Sequence, residues 1–285
     1  MMEAKQIVQI SDLHLTPKGA KHSFNQQIDP FKKLEMVFAD LERLPQKPEL
    51  IVLTGDLIHE GIAADYERLH EFLYQKEADL GTDINVLLGN HDRAGAFYLG
   101  YCGLAPKSQF YYRQQTKDFD YYFLDSNFQN LEQGYLPATE LKWLKLKLQE
   151  NPQRPSLIFL HHPIAGISLA KMRFSVLQND QVLLQLAASA NVRGIFSGHI
   201  HFATSEMIEG ILCATAESTA YHIDCTALHD HLVADACGYN LISFAENLIG
   251  VENRMLLAPQ KTVMHIPVGK TDYLDPKTFT SETMA

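Results

Sequence analysis

Five short apolar runs in this chain end on side chains that bind metals or carry protons, and that recurrence restricts the fold more than any other feature. Ile7 to Ile10 leads into Ser11-Asp12-Leu13-His14, Leu50 to Leu53 into Thr54-Gly55-Asp56, and Ile84 to Leu88 into Gly89-Asn90-His91-Asp92. Leu157 to Leu160 leads into His161-His162-Pro163, and Val192 to Phe196 into Ser197-Gly198-His199-Ile200-His201. Each run has the length and apolar content of a buried strand. Polar residues after one strand are ordinarily a turn. Strands that repeatedly deliver Asp, Asn or His at the same end imply one shared site, at the place where open α/β sheets bind ligands. Gly89 suits such a strand end, because glycine lets the backbone turn sharply close to a ligand.

The segments between these runs alternate with them. Asp29-Pro30 is a helix start, an N-cap aspartate followed by proline at the first helical position. Phe31, Leu34, Phe38 and Leu41 follow at helical spacing and predict one buried face. Further helices are predicted through Tyr66 to Leu73, from Arg93 to Tyr101, after Pro137 with Leu141, Leu144 and Leu148, and from Asp180 to Ser189. Gln109 to Arg113 and Phe119 to Leu124 read as neighbouring antiparallel strands, with Tyr111, Tyr112, Tyr121 and Tyr122 packed in the core. Beyond His201 the chain reads as β: Thr204 to Glu209, Ile211 to Thr215, Tyr239 to Phe244 and a hairpin through Gly250. Such βαβ units followed by strands predict an α/β sandwich of helix-covered sheets, not a barrel. Because the polar clusters run from Asp12 to His201, residues 1–258 are taken as one catalytic domain. Residues 259–285 form a weakly structured C-terminal extension, a candidate contact with the domain or with a second copy in a homodimer.

The net charge of -10, from Lys+Arg 24 against Asp+Glu 34, opposes a broad basic surface for duplex nucleic acid or anionic membrane. A small anionic substrate is compatible with that balance if bound metals make the site locally positive. No basic segment followed by an apolar core precedes the first strand, and no apolar run approaches membrane-spanning length. Cys102, Cys213, Cys225 and Cys237 lack CxxC spacing and read as reduced structural thiols, so a cytoplasmic location is expected.

Aspartate, histidine and asparagine without cysteine make a nitrogen/oxygen site suited to Mn, Fe, Co or Zn. The pool is Asp12, His14, Asp56, Asn90, His161, His199 and His201, more than one ion needs, so two ions are the economical reading. A shared carboxylate would hold them about 3.5–4 Å apart, and such ions can lower the pKa of bound water from about 15.7 to about 7. Phosphoryl transfer gains most from such a site, because its transition state chiefly needs charge stabilisation and in-line positioning.

Asp12-x-His14, Gly55-Asp56, Gly89-Asn90-His91-Asp92, His161 of His-His-Pro and Gly198-His199-Ile200-His201 together resemble the signature of calcineurin-like metallophosphoesterases, in that family's order and over about two-thirds of the chain. The His-His-Pro form and the Gly-Asn-His-Asp loop are most similar to the bacterial class III cyclic-nucleotide phosphodiesterase and glycerophosphodiesterase branch. The resemblance implies a four-layer α/β/β/α sandwich with mixed sheets and two divalent or mixed-valence transition metal ions. By the family pattern, Asp12, His14 and His201 hold the first ion, Asn90, His161 and His199 the second, and Asp56 bridges them. The implied nucleophile is a metal-bridging hydroxide. His91 would protonate or stabilise the leaving group, Asp92 would orient the His91 ring, and His162 would support the site or face substrate.

His22, His59 and His222 are expected to be structural, and the loop from Pro163 to Val176, with Lys171 and Arg173, a solvated segment, although arginine there would suit phosphate. The expected activity is hydrolysis of a small phosphodiester, either a cyclic nucleotide such as cAMP or a glycerophosphodiester; the sequence does not separate them. Other activities of the family are the alternative: phosphomonoesterase, protein phosphatase, nuclease or nucleotide pyrophosphohydrolase. A non-catalytic scaffold of the same fold would have lost ligands or His91, and this chain keeps them all.

Overall fold

The computed structural model describes residues 4–226, 230–245, 248–259 and 262–267. Its first half alternates strand and helix: β1 (Lys5–Ile10), α1 (Pro30–Leu41), β2 (Leu50–Thr54), α2 (Ala63–Leu80), β3 (Ile84–Leu87) and α3 (Ala94–Gly100). There follow β4 (Tyr112–Gln115), β5 (Asp120–Phe123), α4 (Ala138–Glu150), β6 (Ser156–Phe159), α5 (Asp180–Ala188) and β7 (Val192–Ser197). The remainder is β: β8 (Thr204–Ile208), β9 (Ile211–Thr215), β10 (Tyr221–Asp224), β11 (Asp230–Asp235), β12 (Cys237–Ala245), β13 (Leu248–Leu257) and β14 (Thr262–Pro267). The start of α1 is as the sequence dictates: the Asp29 carboxylate accepts from the Phe31 N–H at 2.9 Å, and Pro30 occupies the first turn.

Two mixed sheets stack face to face. One has the order β13-β12-β1-β2-β3 and the other β4-β5-β6-β7-β9-β8. The period-2 alternation of each strand sorts its side chains into layers. Ile7, Val52, Leu87 and Ile242 of the first sheet meet Tyr121, Phe123, Phe159 and Phe196 of the second in a core between the sheets. Val8, Ile10, Ile51 and Leu53 point the other way, under Leu34, Phe38, Tyr66 and Leu69 of α1 and α2. Tyr122, Ile158 and Ile195 point outward beneath Leu144, Leu148, Leu183 and Leu184 of α4 and α5. The layers are therefore α/β/β/α, as expected. Parallel pairing of β1 with β2, β2 with β3 and β6 with β7 brings five carboxyl ends to one edge of the stack.

Several local features depart from the sequence pattern. The strand expected at Gln109 to Arg113 begins only at Tyr112, because the Phe110 N–H is taken by the Asp125 carboxylate at 2.8 Å and the Gln109 carbonyl by the Tyr98 hydroxyl. A third sheet, β10-β11-β14, was not legible: His222, Asp224, Asp230 and His231 interrupt its apolar alternation. Part of the C-terminal extension is thus ordered, since β14 pairs antiparallel with β11; residues 260, 261 and 268–285 lie outside the described residues, and with them most of the candidate dimer contact. The four cysteines are free thiols, and among the described residues no helix is long and apolar enough to cross a membrane.

Candidate metal centre

Four of the five strand ends are tied in pairs by their own backbones. The Asp12 N–H donates to the Gly55 carbonyl at 3.2 Å, the His14 N–H to the Asp56 carbonyl at 2.9 Å, and the Gly198 N–H to the His161 carbonyl at 3.0 Å. The two sheets are joined where the His199 N–H donates to the Asp12 carboxylate at 2.9 Å. Gly55 has φ +90°, and a Cβ there would lie 2.6 Å from His161 Nδ1, so this position needs glycine on both counts. Asp12, His14, Asp56, His199 and His201 all hold left-handed backbone, with φ of 52°, 39°, 50°, 72° and 59°. Non-glycine residues rarely adopt it, and it concentrates at functional sites.

The seven expected residues converge as two groups. In the first, His14 Nε2 lies 3.1 Å from His201 Nε2 and 3.4 Å from Asp56 Oδ2, while His201 Nε2 lies 3.5 Å from Asp12 Oδ1. In the second, His161 Nε2 lies 3.1 Å from Asn90 Oδ1, 3.1 Å from His199 Nδ1 and 3.4 Å from Asp56 Oδ2. Donors about 2.0–2.2 Å from one ion, at tetrahedral or octahedral angles, are about 3–3.5 Å apart. The observed separations are of that size. His161 Nδ1 faces the Thr54 carbonyl at 2.8 Å and His201 Nδ1 the Tyr221 carbonyl at 2.9 Å. A carbonyl can only accept, so each Nδ1 carries a proton, and each Nε2 is the nitrogen left facing the cluster. With Nε2 deprotonated, these nitrogens and the nearby oxygens would aim their lone pairs at a common point, which is the arrangement a cation fills. Burial keeps His14 well below the usual imidazole range despite Asp56, and burial likewise lowers His201, so both are neutral donors. Burial opposes charge on Asp56, but His161, His91 and His14 around it hold its carboxyl well below the usual carboxylate range. The donor set fits divalent transition metal ions.

His91 is half-buried and, with Asn90 and Glu132, lines a cleft of about 330 Å³ beside the second group. Asp92 does not do what was expected of it. Its carboxylate accepts from the N–H groups of Leu57, Ile58 and Gly89 and from the Tyr66 hydroxyl, at 2.8 to 3.2 Å, and is spent on holding the loop and not the His91 ring. His162 is fully buried against His199, with Nδ1 2.8 Å from Ser126 Oγ and Nε2 without a hydrogen-bond partner.

His59, expected to be structural, stands inside the site: its ring stacks on His91 at 4.6 Å, and its Nδ1 lies 3.3 Å from His14 Nδ1. His22 bonds Thr16, and His222 bonds Glu217, both away from the two groups. The Pro163 to Val176 loop is folded down by Glu206, which accepts from the Ile167 N–H at 2.9 Å, and Lys171 faces a different cavity. Sequence reasoning missed Tyr221, whose ring stacks on His201 at 4.2 Å, and Glu132, 3.4 Å from His199 Nε2. Neither stands near a recognisable motif.

Residues 5–203 match the calcineurin-like phosphoesterase family. The chain belongs to that family. As a calcineurin-like phosphoesterase it is a metal-dependent phosphoric ester hydrolase, and its Asp/His cluster could bind the metal. It is 29% identical over 238 residues to a 3',5'-cyclic-nucleotide phosphodiesterase of Nostoc sp., covering 83% of this chain and 86% of the relative. It is 26% identical to a "probable glycerophosphodiester phosphodiesterase" of Arcobacter nitrofigilis, covering 76% of this chain and 79% of that one. Among solved structures, the GAP50 anchor of the inner membrane complex of Plasmodium superposes with a TM-score of 0.55 at 15% identity, over 91% of this chain and 90% of the other, a likeness of fold alone.

Proposed function

We propose that this calcineurin-like phosphoesterase is a dinuclear-metal phosphodiesterase acting on a small diester, of the cyclic-nucleotide or glycerophosphodiester class. The observation that carries the reading is Asp56 Oδ2, 3.4 Å from His14 Nε2 in one group and 3.4 Å from His161 Nε2 in the other. In this reading Asp12, His14 and His201 hold one ion, Asn90, His161 and His199 the other, and Asp56 both. Bound ions supply Lewis acidity that neutralises phosphoryl charge and makes water a nucleophile near neutral pH.

The chain's own residues do the rest. The Asp56 carboxylate also accepts from the His91 N–H at 2.9 Å, so the loop bearing His91 is pinned to the bridging residue itself. That places an imidazole at the mouth of the cleft, where it donates a proton to the departing oxygen or stabilises its charge. The names of both relatives support a diester, and the acidic balance of the chain supports a small one. A cytoplasmic location accords with the free thiols. The test is a hydrolysis panel with metal add-back, comparing cyclic nucleotides, glycerophosphodiesters and simple monoesters. Metal-dependent diester cleavage is expected, with His91→Ala retaining bound metal but losing about 10²- to 10⁴-fold in turnover. Strong monoester turnover without diester cleavage overturns the proposal.

A further inference from the structure

His59 is tied by its backbone to both loops it stands between. Its N–H donates to the Leu15 carbonyl at 3.1 Å, one residue beyond His14, and the next N–H, of Glu60, donates to the His91 carbonyl at 3.0 Å. The side chain repeats the pattern. Its Nδ1 is 3.3 Å from His14 Nδ1, and its ring lies 4.6 Å from that of His91 at an interplanar angle of 25°. His14 and His91 are themselves edge to face at 5.1 Å.

The His14 contact has one chemically sensible polarity. His14 Nε2 points at Asp56 Oδ2 and His201 Nε2, and to hold an ion there it must present a lone pair, which puts the proton on Nδ1. His59 Nδ1 is the group facing that proton and must accept it, which leaves the His59 proton on Nε2. Groups that accept from the far nitrogen of a metal-binding imidazole fix its tautomer and its tilt.

We propose that His59 is a positioning residue with two separable duties: its Nδ1 fixes the donor tautomer of His14, and its ring face holds the His91 imidazole over the cleft. The inference rests on the proposed function, the first duty on His14 holding an ion through Nε2 and the second on diester hydrolysis. Two variants divide the duties. His59→Asn keeps an acceptor where Nδ1 stands but loses the ring, and His59→Phe keeps the ring but loses the acceptor.

Ion affinity is read by calorimetric titration of metal-free protein, and kcat and KM by diester hydrolysis at saturating metal. His59→Phe is expected to weaken the tighter ion by about 10- to 100-fold, with kcat near that of the parent once the ion is saturating. His59→Asn is expected to keep ion affinity within about three-fold and to lower kcat about ten-fold at unchanged KM. His59→Ala should lose both. Ion affinity at the parental level in both Phe and Ala variants overturns the tautomer role, and parental kcat in both Asn and Ala variants overturns the ring role. If the parent hydrolyses no diester, the functional reading fails, while the titrations still decide the His14 contact.

Discussion

The two halves of the metal centre are finished to different degrees. Around the first group the far nitrogens are partnered: His14 Nδ1 by His59 and His201 Nδ1 by the Tyr221 carbonyl, with the Tyr221 ring stacked on His201 and Phe24 meeting Tyr221 edge to face at 4.9 Å. Two carboxylates, Asp12 and Asp56, belong to it. The second group has the neutral amide of Asn90, His161 Nδ1 against the Thr54 carbonyl, a His199 whose buried Nε2 makes no hydrogen bond and has only the partly exposed Glu132 at 3.4 Å, and a cleft alongside. Charge count and rigidity set the affinity of an ion site. If two ions are held as proposed, the difference predicts that one half keeps its ion more tightly and the other exchanges it more readily.

The most severe way to break the comparison is to remove what the halves share. Asp56→Ala is expected to empty both and to reduce turnover by about 10³-fold or more, read from metal content and kcat. Retention of one ion at parental affinity would show that the sharing is unequal. A smaller effect sharpens the contrast: chelator titration of the loaded protein should release ions in two steps, roughly ten-fold or more apart in affinity, and Asn90→Ala should move only the weaker step. A single step of two equivalent ions would erase the distinction.

The smallest expected effect on the site comes from outside it. Lys33 is buried in α1 and donates to Asp235, to Gln26 and to the Ala220 carbonyl, next to the residue that receives His201. Lys33→Met should cost about 3 kcal/mol of stability by denaturant unfolding, since it strands a partly buried carboxylate. It should also weaken the first ion only a few-fold and leave the second unchanged. A shift in the second ion instead would unseat Lys33 as a prop of the closed half.

Much of this centre is legible because strand ends are local in sequence. Asp12-Leu13-His14 or His199-Ile200-His201 announces itself without any knowledge of what lies opposite. Tyr221 and Lys33 act through contacts between distant segments, and nothing beside them in sequence marks the partner. Lys33 nevertheless left a trace, since it shares the stripe of Val37 and Leu41 on α1 and reads as a charge on an apolar face. His59 stands nearer the site than the sequence suggests, because a histidine three residues past Asp56 carries no sign of which way it points. Asp92 was misassigned for the opposite reason. Adjacency to His91 suggested a partnership, whereas the turn directs its carboxylate into four other donors.

Left-handed backbone at Asp12, His14, Asp56, His199 and His201 has a further consequence. A side chain with a Cβ is uphill there by about 1 kcal/mol or more, so glycine would be the more comfortable tenant at each position. Selection for thermal endurance and selection for cation capture therefore pull against each other at those same codons. Because cations bind the folded chain and not the open one, mass action supplies the missing stability only where metal is plentiful. The durability of this protein is thus indexed to the supply of metal around it.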